Sequence, residues 1–254
     1  MSTARIATSR VPFKCMPSAA PLASRFSTTS FSQIQGFSLL SKSFLAITAA
    51  FAAFADPNRA DMVATLGETT GTLNLARIRD EMLLDRSGRR ILRERPVLNS
   101  STVNLDHLRS LPTNTLGYSY AVFMGQFGLS PDRTPIKYME NDEIAYVMQR
   151  YREIHDFFHV ITGLSVSVED EIALKWFEWT QFGLPVAALS SLVGPLRLSS
   201  TQRRRLLRDR VPWAVQCGSR SKLLMAVYWE DLLEKDLNLV RKELGIWLPP
   251  DNRI

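Results

Sequence analysis

The chain has 254 residues, of which 45% are apolar and 22% charged, so it is long enough to fold as a soluble protein around one sizeable core. Its formal net charge of +6 would suit a nucleic-acid partner, but residues 1–55 contain five of the 31 basic residues and none of the 25 acidic ones. The rest of the chain is therefore close to neutral, which argues against nucleic-acid binding.

The first 45 residues have the composition of a mitochondrial transit peptide. They are rich in Ser, Thr, Arg and Ala, contain no acid, and lack the sustained apolar run of a secretory signal. The inner-membrane potential pulls such positive charge inward, by roughly 2.3 kcal/mol per charge per 100 mV. We predict a transit peptide over residues 1–30, cleaved near Arg25-Phe26, and a mature domain over 31–254 in the mitochondrial matrix. Chloroplast import, which uses a similar composition, is the alternative.

Residues 43–55 form an apolar segment of 13 residues, whereas a helix that crosses a bilayer needs about 20. The segment is rich in Ala and is followed by Asp56-Pro57, which ends a helix. It is therefore predicted to be the first helix of the mature domain, buried on most sides.

Apolar residues recur at three- and four-residue spacing through most of the remaining chain, and alternating strand patterns are scarce. This periodicity predicts an all-α fold, a single multi-helix domain behind the transit peptide. The predicted helices cover residues 58–66, 73–85, 105–111, 115–127, 141–164, 167–179 and 222–244. Ser87-Gly88 is predicted to interrupt the chain before a basic turn that ends at Pro96, and residues 128–135 are predicted to form a loop.

Residues 180–196 contain no charged side chain, but two glycines and two prolines make the segment too broken to span a membrane. A buried core helix is the first interpretation, and a wall for a long apolar ligand or a membrane-dipping surface are the alternatives. The next segment, 202–210, carries five arginines and one acid. We expect a solvated helix face there, with binding of anionic lipid as the alternative.

The sequence His155-Asp156-Phe157-Phe158-His159 lies in the predicted helix 141–164, and eleven residues separate His159 from Glu171. Positions i and i+4 of a helix share a face, with Cβ atoms about 5–6 Å apart, so the two imidazoles can hold one ion. Asp156 is rotated by about 100° from His155, close enough to bind the ion or to orient a ligand water. A short turn can bring Glu171 alongside, so these four residues are the predicted metal ligands.

Two histidines on one helix also occur as packing residues, but this chain has only three histidines. Two imidazoles and two carboxylates suit a divalent ion, with zinc preferred and iron, cobalt or manganese as alternatives. A metalloprotease is the competing interpretation, because H-E-x-x-H also places two histidines on one helical face. Here Asp156 replaces the catalytic Glu of that motif and is one methylene shorter, so hydrolysis is less favoured.

Beyond the metal motif, many ordered segments resemble those of one family, the fourth coenzyme Q biosynthesis protein, over roughly residues 56–247. One departure is Asn114, where the family's Leu-Pro-x-Gly-Thr segment usually has Gly. Besides His155-Asp156-x-x-His159-x11-Glu171, the matching segments are residues 56–57, 62–71, 111–112, 115–117, 175–178 and 183–185.

The resemblance implies an all-helical protein attached to the matrix face of the mitochondrial inner membrane, within the multi-enzyme complex that modifies the polyprenylated ring of ubiquinone. It also implies an activity, metal-dependent removal of the C1 carboxylate from a polyprenyl hydroxy-methoxybenzoate, with or without coupled hydroxylation. The expected partners are this benzoate, the other biosynthetic enzymes and the membrane lipid. The alternative function is a lipid-binding scaffold without activity that organises the complex.

Two basic residues are expected to lie one helical turn from the metal ligands. Arg152 is three residues before His155, and Lys175 is four residues after Glu171. Simple ion pairs, of Arg152 with Asp156 and of Lys175 with Glu171 or Glu178, are the first interpretation. A substrate carboxylate in a pocket of low dielectric constant also needs a positive partner, so Arg152 and Lys175 are the candidate catalytic residues.

Overall fold

The structure, a computed structural model, describes Glu68 and residues 70–137 and 139–250. The predicted transit peptide and the predicted helices at 43–55 and 58–66 lie outside these residues. The helices are α1 (Thr72–Leu84), α2 (Arg86–Glu94), α3 (Leu105–Arg109), α4 (Leu116–Phe127), α5 (Asp142–Thr162), α6 (Val168–Phe182), α7 (Pro185–Val193), α8 (Ser200–Arg205), α9 (Val211–Arg220) and α10 (Leu237–Leu244).

The described residues contain no strand, and one isolated bridge joins Thr115 to Asp236, so the predicted all-α fold is confirmed. No helix in this part of the chain is both long enough and apolar enough to cross a membrane.

Helix α5 is the longest helix, and most of its side chains are buried in the core. It begins where the Asn141 side chain accepts hydrogen bonds from the first free backbone N–H groups, and it ends at Gly163, whose φ of 72° suits glycine. Arg241 of α10 donates hydrogen bonds to the carbonyls of Val160 and Ile161. These bonds satisfy carbonyls that the last turn of a helix leaves free, and they hold the end of α5 against α10.

A short turn reverses the chain between α5 and α6, and the Ser167 hydroxyl caps α6 by accepting a hydrogen bond from the Asp170 N–H. Side chains of the two helices then meet in antiparallel order, since His159 contacts Glu171 and the earlier His155 contacts the later Glu178. This arrangement brings Glu171 back to the histidines, as the spacing predicts.

The predicted break after Ser87-Gly88 is wrong, because residues 86–94 form α2. The Asp85 carboxylate accepts hydrogen bonds from the N–H groups of Ser87 and Gly88 and so starts a second helix. Gly88 serves close packing, since a Cβ there would lie 2.2 Å from the carbonyl oxygen of Met82.

The predicted helix 222–244 is also wrong, because only α10 and two short 3-10 turns form there, Leu224–Ala226 and Trp229–Leu232. Several backbone groups of this segment are bonded to distant parts of the chain, which interrupts a continuous helix. Gln181 accepts from the Leu224 N–H and donates to the Lys222 carbonyl. The N–H of Gly117 donates to the Leu233 carbonyl at 2.8 Å.

The apolar segment 180–196 is divided between the end of α6, α7 and a 3-10 turn, Gly194–Arg197. One side of α7 is buried, but Leu189 and Leu192 face outward, so the prediction of a buried core helix holds for only part of the segment.

We predict that Gly117→Ala destabilises the protein by about 1–3 kcal/mol, because a Cβ there would lie 2.8 Å from the Leu233 carbonyl oxygen. Gly125→Ala is the matched control in the same helix, since its Cβ would meet only the mobile end of Arg109. Chemical unfolding should separate the two variants. Equal stability of both would contradict the close packing of α4 on residues 233–235.

Candidate metal centre

Three of the four predicted ligands meet at one point between α5 and α6. The Nε2 atoms of His155 and His159 are 3.3 Å apart, and the Glu171 carboxylate lies 3.2 Å from Nε2 of His159 and 3.8 Å from Nε2 of His155. One nitrogen or oxygen of each residue lies within 4.8 Å of the other two. His159 is buried, whereas the Glu171 side chain is 36% exposed, so the group opens to solvent on the side of α6.

The other nitrogen of each imidazole determines which atom faces the centre. Nδ1 of His159 lies 3.2 Å from the Leu164 carbonyl oxygen, which can only accept, so Nδ1 carries the proton. Nδ1 of His155 lies 2.6 Å from the Glu178 carboxylate. With Nδ1 held in this way, each ring turns its Nε2 toward the other ring and toward Glu171. Such a set of acceptors needs a cation between them, either extra protons or a metal ion.

Glu178 is a fully buried carboxylate with donors on both of its oxygens. One oxygen faces His155, and the other accepts hydrogen bonds from the Tyr151 hydroxyl and from Nζ of Lys175. Burial would raise the pKa of Glu178, but the charge of Lys175 and the interaction with His155 lower it well below its usual range. An ionised Glu178 fixes both the tautomer and the orientation of His155.

Glu171 is ionised for a related reason. Burial opposes its charge, but the hydrogen bond to His159 and the nearby positive charges lower its pKa to about 2. Because Nδ1 of His159 already donates to Leu164, a hydrogen bond from its Nε2 needs a second proton on the ring. A metal ion would replace that proton.

Asp156 does not join the other three side chains. Its buried carboxylate accepts a hydrogen bond from Arg133, which also donates to the backbone carbonyls of Ser130 and Arg152. Asp156 therefore holds the loop before α5, and its place on the helix turns it away from the two imidazoles.

The predicted pair of Arg152 with Asp156 is wrong. Arg152 instead lies 3.4 Å from Glu68 and donates to the Thr134 hydroxyl at 2.7 Å. Arg133, instead of Arg152, pairs with Asp156. Lys175 pairs with Glu178 at 2.6 Å, one of the two pairings that its position predicts.

Glu178 is the functional residue that sequence reasoning did not assign to the centre. Its signal is present in the chain, because Glu178 follows Glu171 by seven residues, two helical turns, and so lies on the same face of α6. Phe123 of α4 is a second such residue, with its ring stacked on His159 at a centroid distance of 5.3 Å.

We predict an interaction free energy of about 1–3 kcal/mol between Asp156 and Arg133 in a double-mutant cycle of Asp156→Asn and Arg133→Gln, measured by chemical unfolding. The pair is mostly buried, and either single change leaves one polar partner unsatisfied. The exposed pair Asp106 and Arg109 is the control and should show a smaller coupling. Strict additivity at Asp156 and Arg133 would show that they do not interact.

Comparison with known proteins places the whole described region in one family. The model of the family described as coenzyme Q (ubiquinone) biosynthesis protein Coq4 matches residues 32–250. The mitochondrial ubiquinone biosynthesis protein COQ4 of Laccaria bicolor is 49% identical over 210 residues, which cover 82% of this chain and 71% of that protein. The protein of the same name from Uncinocarpus reesii is 50% identical over 211 residues, 82% of this chain and 76% of its own.

A crystal structure of a ubiquinone biosynthesis protein from Nostoc punctiforme PCC 73102 has the same fold. Its TM-score is 0.66 at 24% sequence identity, and the match covers 83% of this chain and 99% of that one. The family match and the two fungal relatives together decide the assignment: this chain belongs to the coenzyme Q (ubiquinone) biosynthesis protein Coq4 family.

Proposed function

We propose that the protein removes the C1 carboxylate from a polyprenyl hydroxy-methoxybenzoate during ubiquinone biosynthesis, at a divalent metal ion bound by His155, His159 and Glu171. The observation that carries this proposal is the convergence of these three side chains on one point, in a chain of a ubiquinone biosynthesis family.

The donor set fits zinc. Two ligand atoms that each lie about 2.0–2.1 Å from a tetrahedral zinc ion are roughly 3.3–3.4 Å apart, and the Nε2 atoms of His155 and His159 are separated by 3.3 Å. Two histidines and one glutamate are also a common ligand set of catalytic zinc, which keeps a fourth position for water or substrate. Iron, cobalt and manganese are the alternatives.

Decarboxylation consumes one proton and releases carbon dioxide, and we assign the proton to solvent water, to which the centre opens at Glu171. A phenol para to the carboxylate lets the ring take up one proton at C1. The bond from C1 to the carboxylate then breaks, carbon dioxide leaves, and the bonding electron pair restores the aromatic ring. A bound metal ion supplies Lewis-acid stabilisation of a substrate oxygen.

The residues around the ligands position them and balance their charge. Glu178 holds His155, while Lys175 and Tyr151 stabilise the ionised Glu178. An ammonium group has three donors, and Lys175 gives one of them to Glu178. Lys175 is therefore our candidate for binding the substrate carboxylate with its other donors. Arg152 is the weaker candidate, because its contacts with Glu68 and Thr134 direct it away from the histidines.

We also propose that the protein works on the matrix face of the mitochondrial inner membrane, beside the other enzymes of the pathway. Two observations support this placement. The fungal relatives are named as mitochondrial, and a polyprenyl tail stays in lipid, since each buried CH₂ contributes about 0.8 kcal/mol. An enzyme for such a substrate must reach a membrane surface.

We expect His159→Ala and Glu171→Ala to lose bound metal, because each removes one of the three converging ligands. His107→Ala is the matched control, since this third histidine is exposed on α3, a different helix from the two ligand helices. Metal content of the purified proteins by mass spectrometry, with circular dichroism to check folding, is the measurement. Stoichiometric metal in both folded variants would rule out this site.

Glu171→Gln should separate an enzyme from a scaffold. Loss of several kcal/mol of transition-state stabilisation corresponds to a rate lower by about 100-fold or more, while assembly with partner enzymes should continue. The test is turnover of a short-tailed benzoate, with and without oxygen, together with recovery of the complex. Undiminished ubiquinone synthesis in this variant, with the complex intact, would instead support the scaffold. Glu243→Gln on α10 is the control.

A further inference from the structure

An exposed apolar stripe runs along α7 and along the 3-10 turn that comes next in the chain, Gly194–Arg197. Leu189, Leu192 and Leu196 are 37%, 59% and 65% exposed. Leu189 and Leu192 are three residues apart and so share one side of α7, while Val186 and Ala187 are buried on the other. Leu196 continues the exposed apolar surface in the 3-10 turn. We refer to these three residues as the leucine stripe.

The sequence that contains the leucine stripe is basic. Residues 183–208 contain five arginines and no acid. Arg203 donates hydrogen bonds to the carbonyls of Pro195 and Leu198, so its guanidinium is held beside Leu196. Arg204 is exposed. Arg205 is directed elsewhere, because it forms two hydrogen bonds with Glu169 of α6.

We propose that the leucine stripe, together with Arg197, Arg203 and Arg204, docks the protein on an anionic lipid bilayer. Apolar side chains on one helical face beside basic residues are the pattern of an interfacial helix, which combines burial of leucine with attraction to anionic headgroups. This inference rests on the membrane association in the proposed function and identifies the face that carries it.

Lipid fits this surface better than a protein partner does. Protein interfaces gain most of their binding energy from Trp, Tyr and Arg, and leucine is under-represented among their strongest contacts. A symmetric contact with a second copy would place the same patch on both subunits and so bring the arginines of the two copies close together. Anionic headgroups remove this repulsion.

The 3-10 turn that carries Leu196 packs, through its buried side, against the helix that carries a metal ligand. The 3-10 turn packs closely on α6, since a Cβ at Gly194 would lie 2.7 Å from Cγ1 of Ile172. Ile172 directly follows Glu171. Docking through the leucine stripe therefore brings the bilayer next to the ligand helix, which shortens the path of a polyprenylated substrate from the lipid to the centre.

The test compares binding of the full chain to phosphatidylcholine vesicles with and without cardiolipin, by co-sedimentation. We expect the double variant Leu192→Ser with Leu196→Ser to bind the anionic vesicles about tenfold or more weakly. Separately, Arg204→Gln should bind them about fivefold more weakly. Leu239→Ser on α10, which is 58% exposed, and Arg93→Gln on α2, whose side chain is 74% exposed, are the matched controls and should bind as the wild type does.

The basic N-terminal segment can also bind anionic lipid, and co-sedimentation does not show which segment makes the contact. Hydrogen exchange of the vesicle-bound protein identifies that segment. Slower exchange over residues 189–197, with no change over 237–244, supports the proposal. The proposal would be overturned by equal binding of all variants without this protection or by no binding of the wild type. It would also be overturned if the wild type proved to be a dimer and the leucine variant a monomer. Metal content and turnover of a soluble short-tailed substrate should stay unchanged in these variants, so failure of docking and failure of the metal centre are distinguishable.

Discussion

A buried carboxylate is costly unless donors surround it, and Glu178 lies fully buried between the two helices that form the candidate metal centre. Two of its donors, Tyr151 and His155, come from α5, and the third, Lys175, comes from its own helix. These bonds fix the relative positions of α5 and α6. The two helices are antiparallel. When Glu178 contacts His155, Glu171, which lies two turns earlier on α6, therefore meets His159, which lies one turn later on α5.

The centre is therefore built with both histidines already oriented. Glu178 and the Leu164 carbonyl hold the Nδ1 atoms, and the Nε2 atoms are left facing Glu171. Little reorganisation is needed for an ion to bind, and preorganised ligands bind a metal more tightly than mobile ones. Asp156 stabilises the fold around the centre, since it holds the loop before α5 through Arg133.

Local signals in the sequence predict α5, the turn after it and the return of Glu171. Asn141, Gly163 and Ser167 cap or end helices through contacts with their immediate neighbours, so a single sequence contains that information. The errors have distant causes. Arg152 pairs with Glu68, Asp156 pairs with Arg133, and residues 222–244 bond to α4 and α6, and no local pattern indicates these partners.

The central claim is that His155, His159 and Glu171 bind one metal ion while Glu178 orients His155. A crystal structure of the zinc-loaded protein, with anomalous scattering measured at the zinc edge, tests this most directly. The account predicts one zinc peak in contact with Nε2 of both histidines and with the Glu171 carboxylate, and Nδ1 of His155 still hydrogen-bonded to Glu178. A peak at Asp156 away from Glu171, or zinc bound through Nδ1 of either histidine, would contradict it.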